Sequence, residues 1–192
     1  MAEVLLFHHA QGLTSGVLEF AEALRRGGHI VHTPDLFDGA LPATFEGGIA
    51  LASAIGVDVI AERGRSAADG LPEHIVYAGF SLGVMPAQLL AQTRPGAAGA
   101  VFLHACISPR EFGSDWPAGV PVQIHGMDAD PYFTEEGDIA AARELVAATP
   151  GAELFLYIGN THLFSDSSLL DYDGPSAELL TARVLRFLAE LA

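Results

Sequence analysis

The chain alternates short apolar runs with helical patterns along its whole length, and this alternation limits the fold more than any other feature. Most of the runs are almost continuously apolar, which is typical of parallel strands covered by helices on both faces. The six runs that predict strands are Val4–His8, His29–Thr33, His74–Gly79, Gly99–Ala105, Pro121–His125 and Glu153–Tyr157. Over residues 1–192 the pattern predicts one α/β domain with a doubly wound, mainly parallel sheet of about six strands.

Between the predicted strands lie helical patterns, in which apolar residues recur three and four positions apart. The expected helices are one that begins at Thr14 or Ser15 and ends at Gly27-Gly28, one over residues 49–60 that Gly56 weakens, one from Leu82 to Thr93, one capped by Thr134 and one capped by Ser176. The segment Ile107–Gly119 has no helical pattern and predicts an irregular crossover. Ligands of open parallel sheets bind at the carboxyl ends of the strands, so the site is expected there.

The sequence carries a large excess of negative charge, with 24 acidic residues, nine basic residues and a formal net charge of −15. Such a surface repels phosphate backbones and anionic lipids. Neither nucleic acid nor a membrane is therefore an expected partner. We expect a small-molecule substrate and a monomer or homodimer.

All nine basic residues are arginine. The absence of lysine excludes Schiff-base catalysis, a Ser–Lys dyad and the phosphate-binding lysine of a P-loop. Cys106 is the only cysteine, which excludes an intramolecular disulfide and fits a reducing compartment. The first residues lack the basic start of a signal peptide, and no apolar run is long enough to cross a bilayer. The expected location is the cytoplasm.

The segment Gly79-Phe80-Ser81-Leu82-Gly83 carries the strongest signal for chemistry. It follows a predicted strand and opens a predicted helix, which is the context of a nucleophile elbow. The turn is so tight that side chains at the two glycine positions would clash, and it raises the serine hydroxyl above the edge of the sheet. The motif therefore predicts Ser81 as a nucleophile.

A serine hydroxyl needs a general base to become a good nucleophile. In the chain order that accompanies this elbow, an acid follows the serine and a histidine follows the acid. His162 is the only histidine after His125, and it follows the last predicted strand. The sequence therefore predicts His162 as the base.

Two aspartates, Asp128 and Asp130, follow the fifth predicted strand, where the acid of such a site belongs. The acid holds the imidazole in the required tautomer and stabilises the imidazolium that forms during proton transfer. Their position in the chain does not decide which of the two aspartates is the acid.

An acyl-transfer site also needs hydrogen-bond donors for the oxyanion. The amide of Leu82, the residue after the nucleophile, is expected to supply one. The other is expected from the loop that follows the first strand, residues 8–12. Gly12 lets this loop turn back toward the elbow, which leaves the N–H of Ala10 or Gln11 to point inward.

His8 and His9 follow each other at the end of the first predicted strand. Neighbouring strand residues point to opposite faces, so the two rings are poorly placed to bind one ion and no metal is expected. We expect one ring to be buried and the other, His9, to lie at the substrate together with Gln11.

These features resemble the dienelactone hydrolase family, a branch of the α/β-hydrolases without a cap domain. The likeness runs from Leu5 almost to the C-terminus. It includes the His-x-x-x-Gly of residues 8–12, the elbow at Ser81, an aspartate near 130, and His162-Leu163-Phe164.

The resemblance implies an acyl-enzyme mechanism without a cofactor, on small esters or lactones. It also implies that the amides of Ala10 and Leu82 form the oxyanion hole. Of the two candidate acids it favours Asp130 over Asp128, because Asp130-Pro131 is similar to the Asp-Pro found at this position in related hydrolases.

Two positions depart from the best-known members of that family. Those members use a cysteine nucleophile and have a glutamate after the first histidine, where this chain has Ser81 and His9. They also hold a substrate carboxylate with an arginine four residues after the catalytic histidine, where this chain has Asp166. We expect Asp166 to face the substrate and to repel anionic esters, unless Arg110 replaces the missing arginine.

The sequence thus predicts a serine hydrolase that cleaves a small ester or lactone through Ser81, Asp130 and His162. A thioesterase or other acyl hydrolase would share this site and differ only in its pocket. A non-catalytic protein that binds a small ligand would need Ser81 only for a hydrogen bond, so the complete set of three residues counts against that alternative.

Overall fold

The computed structural model describes residues 1–113 and 115–191. Its six strands form one sheet in the order β2-β1-β3-β4-β5-β6, and every neighbouring pair is parallel. The strands are β1 (Glu3–Phe7), β2 (Ile30–His32), β3 (Val76–Phe80), β4 (Gly99–Leu103), β5 (Val122–Met127) and β6 (Ala152–Tyr157). All six predicted strands are confirmed, with ends that differ from the prediction by no more than two residues.

Seven α-helices occur in the part of the chain that the structure describes. They are α1 (Ser15–Arg26), α2 (Phe45–Ile55), α3 (Val57–Ala67), α4 (Val84–Thr93), α5 (Pro131–Thr134), α6 (Asp138–Ala148) and α7 (Gly174–Glu190). Single 3-10 turns occur at Ser81–Gly83 and Pro109–Phe112. The latter is the only helical turn among the described residues of Ile107–Gly119, as expected for an irregular crossover, and Ser114 of that segment lies outside the described residues.

The helices cover both faces of the sheet, and the residues of β1 show how. Val4 and Leu6 are buried in a cluster with α1 and α7, whereas Leu5 and Phe7 are buried in a second cluster with α3, α4 and α6. Burying a Val, Leu or Phe side chain contributes about 1.5–3 kcal/mol. Because both faces are buried, the strands have the nearly continuous apolar sequences from which they were predicted.

The starts of several helices differ from the prediction. Thr14 caps α1 as expected, since its hydroxyl accepts a hydrogen bond from the Val17 amide at 3.3 Å. The second predicted helix is two helices, because Gly56 has a φ of 95° that ends α2 and begins α3. Thr134 is not a cap but the last residue of α5, and α6 begins four residues later at Asp138. Ser176 lies within the first turn of α7 and donates its amide to the true cap, Asp173.

The order of the strands places a crevice at the carboxyl ends of β1 and β3. The chain leaves β1 toward β2 on one side and later returns to β3 on the other side, so the winding direction reverses between these two strands. The loop of residues 8–12 follows β1 and Ser81 follows β3, so the crevice joins the two segments that the sequence assigned to chemistry. Within residues 1–113 and 115–191, none of the helices combines the length and the apolar character that crossing a membrane requires.

Candidate active site

Ser81 lies in the sharp turn between β3 and α4, with a φ of 46°. A non-glycine residue in this left-handed region is strained by about 1–3 kcal/mol, so the surrounding packing must hold it there. A Cβ at Gly79 would overlap the carbonyl group of Gly83. A Cβ at Gly83 would lie 2.6 Å from the carbonyl oxygens of both Phe7 and His8. The turn is therefore pressed against the end of β1, and both flanking residues must be glycine.

Gly83→Ala is expected to lower the free energy of unfolding by about 3 kcal/mol or more, because backbone oxygens cannot move aside for the methyl group. Urea unfolding measures the loss. Gly47→Ala is the matched control, since this exposed glycine is within α2 and its Cβ would meet the Thr44 hydroxyl at 3.2 Å and the Pro42 Cβ at 4.0 Å, with no backbone atom among these contacts. A loss no larger for Gly83→Ala than for Gly47→Ala would contradict the close approach of the elbow to β1.

Three side chains form a continuous hydrogen-bonded chain at this turn. Ser81 Oγ lies 2.8 Å from His162 Nε2, and His162 Nδ1 lies 2.6 Å from Asp130 Oδ2. Nδ1–H donates a hydrogen bond to Asp130, so Nε2 is left unprotonated and accepts a hydrogen bond from the serine O–H. Asp130 is fully buried, while Ser81 and His162 are 9% and 8% exposed. The arrangement can remove the proton from the serine hydroxyl.

The structure brings Asp130, and not Asp128, to His162. The second carboxylate oxygen of Asp130 accepts the Tyr132 amide at 3.0 Å and so caps the short helix α5, which fixes the direction of the carboxylate. Asp128 is exposed, and its Oδ1 accepts the amide of Gly159 at 3.1 Å. That contact ties together the loops after β5 and β6, and the second loop carries His162.

Two aromatic rings pack against the His162 ring. The Phe45 ring of α2 lies edge-on to it at a centroid distance of 5.0 Å, and the Tyr132 ring of α5 lies at 4.9 Å. The two rings also contact each other, with centroids 4.7 Å apart. They limit the access of water to the imidazole and restrict the rotation of its ring.

A cavity of about 320 Å³ opens above Ser81 and His162. Its volume fits a small ligand. Most of the side chains that line it are apolar or aromatic, and two are carboxylates. The residues lining it besides Ser81 and His162 are Phe45, Ile49, Leu82, Met85, Ala105, Ile107, Tyr132, Glu136 and Asp138.

The two carboxylates, Glu136 and Asp138, were missed by the sequence analysis. Asp138 begins α6, and its Oδ2 accepts the amide of Cys106 at 3.0 Å. Burial raises the pKa of Asp138, and the charges of Glu136 and Asp130 add to the rise, whereas the Cys106 hydrogen bond and the charge of His162 oppose it. Asp138 and His162 line the same cavity, so the carboxylate faces the space beside the imidazole.

Of the two amides expected to bind an oxyanion, one belongs to Leu82, which lines the cavity, and the other to Ala10, which is fully buried and is not among the lining residues. Leu82 is the second residue of the 3-10 turn that leads into α4, so its N–H lies at the start of a helical segment, where amides have no intrahelical acceptor. The Gln11 amide donates instead to His9 Nδ1 at 3.1 Å, which leaves Ala10 as the candidate on that loop. Gly48 of α2 packs directly against the Ala10 carbonyl group, which leaves no room for a side chain at position 48.

The whole length of this chain matches the model of one protein family. The model of the dienelactone hydrolase family matches residues 1–192. The chain belongs to the dienelactone hydrolase family. Dienelactone hydrolases cleave an ester bond that closes a ring, so this family member is a hydrolase of ester bonds. No curated protein is significantly similar to it in sequence.

Solved structures support the fold of this dienelactone hydrolase family member. A dienelactone hydrolase-like promiscuous phosphotriesterase from metagenomic libraries is 17% identical, with a TM-score of 0.76 over 100% of this chain and 87% of the other. A protein assigned as a dienelactone hydrolase from Klebsiella pneumoniae is 20% identical, with a TM-score of 0.72 over 99% and 87%. An esterase of Thermogutta terrifontis with bound propionate is 18% identical, with a TM-score of 0.63 over 100% and 84%.

His9 and Gln11 do not line the cavity, although the sequence analysis placed both at the substrate. His9 is fully buried because its Nε2 donates to Asp166 at 2.7 Å while its Nδ1 accepts the Gln11 amide. His8 is fully buried too: its Nδ1 donates to the His9 carbonyl at 2.8 Å and its Nε2 accepts the Leu36 amide at 2.9 Å. Burial lowers the pKa of His8 to about 4, so its ring is neutral at pH 7.

Asp166 also lies away from the cavity, contrary to the prediction that it faces the substrate. Its side chain is fully buried and accepts hydrogen bonds from His9, from the Thr14 hydroxyl, and from both the amide and the hydroxyl of Ser168. Burial alone would raise the pKa of Asp166, but these hydrogen bonds hold it below its ordinary value. In the best-known family members this position holds an arginine that binds the substrate. In this chain the aspartate at the same position ties the loop after His162 to the loop after β1.

Asp166→Asn is expected to lower the free energy of unfolding at pH 7 by about 2 kcal/mol or more, since charged hydrogen bonds are lost in a buried place. Folding lowers the Asp166 pKa, so its contribution is complete above the unfolded carboxyl pKa of about 3.9 and is lost as the pH falls below it. Urea unfolding of both proteins at pH 7 and pH 3 measures the difference. A difference that stays the same at both pH values would contradict a stabilising ionised Asp166.

Arg110 does not replace the missing arginine. It is exposed, pairs with Glu144 at 3.1 Å and is not among the residues that line the cavity. Within residues 1–113 and 115–191, no cluster of three or more His, Cys, Asp or Glu side chains is arranged to hold a metal ion.

Proposed function

We propose that this protein hydrolyses small carboxylic esters or lactones through an acyl-enzyme intermediate, with Ser81 as the nucleophile, His162 as the general base and Asp130 as the acid that orients it. The observation that carries the proposal is the hydrogen-bonded chain from Ser81 Oγ through His162 to the buried Asp130, with distances of 2.8 Å and 2.6 Å. It lies at the floor of a cavity of a size that suits a small ester.

In the acylation step, Ser81 Oγ attacks the ester carbonyl carbon while its proton passes to His162 Nε2. The imidazolium that forms is stabilised by the carboxylate of Asp130, which is buried and only 2.6 Å away. His162 then gives the proton to the departing alkoxide, and an ester bond joins the acyl group to Ser81. A water molecule, deprotonated by the same imidazole, attacks this ester, and Ser81 is regenerated.

The negative charge that develops on the carbonyl oxygen needs donors that are already in place. In this proposal the amides of Leu82 and Ala10 are those donors. Their support is the packing of the elbow: Gly83 contacts the carbonyl groups of Phe7 and His8, so the loop that carries Ala10 is held next to the turn that carries Leu82. Removing one such donor commonly lowers kcat by about 10²–10³-fold.

Hydrolysis of p-nitrophenyl acetate tests the proposal. We expect turnover with a rapid initial release of p-nitrophenol, up to one equivalent per enzyme, because this activated ester acylates Ser81 faster than the acyl-enzyme is hydrolysed. Hydrolysis of a small lactone such as dihydrocoumarin tests the cyclic substrates. No release above the rate in buffer, for either substrate, would favour a non-catalytic ligand-binding protein.

A further inference from the structure

The walls of the Ser81 cavity carry negative charge without a positive partner. Glu136 and Asp138 line it beside His162. Among the described residues that line it there is no arginine, and the chain has no lysine. The nearest candidate by sequence, Arg110, is held by Glu144 outside the cavity.

From this distribution we infer that the cavity selects small esters that bear a positively charged ammonium group and rejects those that bear a carboxylate. The inference rests on the proposed function and names the substrate class of the same site. A pocket lined by arginine is the arrangement expected for a substrate with a carboxylate. The cavity above Ser81 is expected to have the opposite charge preference.

The two carboxylates differ in their surroundings. Glu136 is exposed, whereas Asp138 is half-buried and fixed by the hydrogen bond from the Cys106 amide at 3.0 Å. Salt screens exposed charges much more strongly than buried ones. The contribution of Glu136 is therefore expected to fall as salt is added, and that of Asp138 to persist.

Neither carboxylate is needed for the hydrogen-bonded chain from Ser81 to Asp130. Asp138 contacts the backbone of Cys106 and acts on His162 only through its charge. The apolar side chains that share the cavity wall, among them Ile49, Met85 and Ile107, suit the methyl groups of a quaternary ammonium. The apolar wall would fit the neutral isostere of that group equally well, so the preference for an ammonium substrate rests on the two carboxylates.

Three acetate esters of similar size test the inference. They are 2-(trimethylammonio)ethyl acetate, its neutral carbon isostere 3,3-dimethylbutyl acetate, and the anion 3-acetoxypropionate. At low salt we expect kcat/KM for the cation to exceed that for the neutral ester by about tenfold, and that for the anion to be at least about tenfold lower than the neutral value. Equal values for the cation and the neutral ester would overturn the inference while leaving ester hydrolysis intact.

Matched variants assign the effect to residues. Glu136→Gln and Asp138→Asn should each reduce the ratio of cation to neutral kcat/KM about threefold, and Asp138→Asn keeps an oxygen for the Cys106 amide. Glu135→Gln is the control, because it removes the same charge from an exposed neighbour that does not line the cavity. An equal change in all three variants would show a general effect of net charge and overturn the inference.

Calorimetry of phenyltrimethylammonium binding to Ser81→Ala separates the cation preference of the cavity from the proposed ester hydrolysis, because binding needs no turnover. We expect binding that is about tenfold weaker when Glu136→Gln and Asp138→Asn are added together to Ser81→Ala. Binding that is unchanged by these substitutions would overturn the inference. Specific binding without any ester hydrolysis by the wild type would retain the cation site and refute only the proposed function.

Discussion

Ser81→Ala is expected to lower kcat/KM for p-nitrophenyl acetate by about 10⁴-fold or more, because it removes the atom that forms the acyl-enzyme. The variant should fold normally, since alanine is no larger than serine and meets the same strain at a φ of 46°. Steady-state kinetics measures the loss, and urea unfolding confirms the fold. Residual activity above about one tenth of the wild type would remove Ser81 from the mechanism.

The chain offers a matched control in a second serine–histidine contact. Ser165 Oγ lies 2.6 Å from Nε2 of His104, and both residues are buried. Burial holds the pKa of His104 well below its ordinary value, and its Nδ1 has no hydrogen-bond partner among the described residues, so no acid supports it as a base. Ser165 also faces a different cavity, of about 420 Å³ beside α1 and α7. Ser165→Ala should therefore change kcat/KM by less than about tenfold.

Asp130→Asn is expected to lower kcat by about 10³–10⁴-fold with little change in KM. One oxygen of Asp130 is held by the Tyr132 amide at 3.0 Å, so the single oxygen of asparagine should stay there and the amide nitrogen should face His162. That nitrogen donates to Nδ1, which moves the imidazole proton to Nε2. A protonated Nε2 cannot accept the Ser81 proton.

Asp128→Asn is the control for this substitution. The Asp128 side chain accepts a hydrogen bond from the Gly159 amide at 3.1 Å, and an asparagine oxygen can replace that contact. We expect kcat to stay within about threefold of the wild type. If Asp128→Asn were the more damaging of the two, the role of the acid would pass to Asp128.

The elements near Ser81 were predictable because the pattern that marks them is short: a continuous apolar strand followed by two glycines around a serine. The turn itself requires Gly79, whereas Gly83 is required by the distant end of β1. Asp130 was harder to choose, since the selecting contact is the capping of α5, and that four-residue helix has no apolar periodicity to reveal it.

The polar contacts around Asp166 could not be derived from sequence spacing. Asp166 and His9 are 157 residues apart, and nothing in either segment indicates that they meet. The position of the family's arginine suggested a role at the substrate, whereas four hydrogen bonds turn this shorter side chain inward. Glu136 and Asp138 were missed for a similar reason, although the acidic residues 135, 136 and 138 just after Asp130 were a visible signal.

The central claim, that Ser81 is the nucleophile, is tested most directly by covalent labelling with a fluorophosphonate followed by tryptic peptide mapping. Trypsin does not cleave between Arg94 and Pro95, so Ser81 falls in a peptide of residues 66–110 and Ser165 in one of residues 144–183. We predict one label per chain, on the 66–110 peptide, with fragmentation placing it on Ser81 rather than on Ser66 or Ser108. A label on the 144–183 peptide, or no label on a folded protein, would contradict the account.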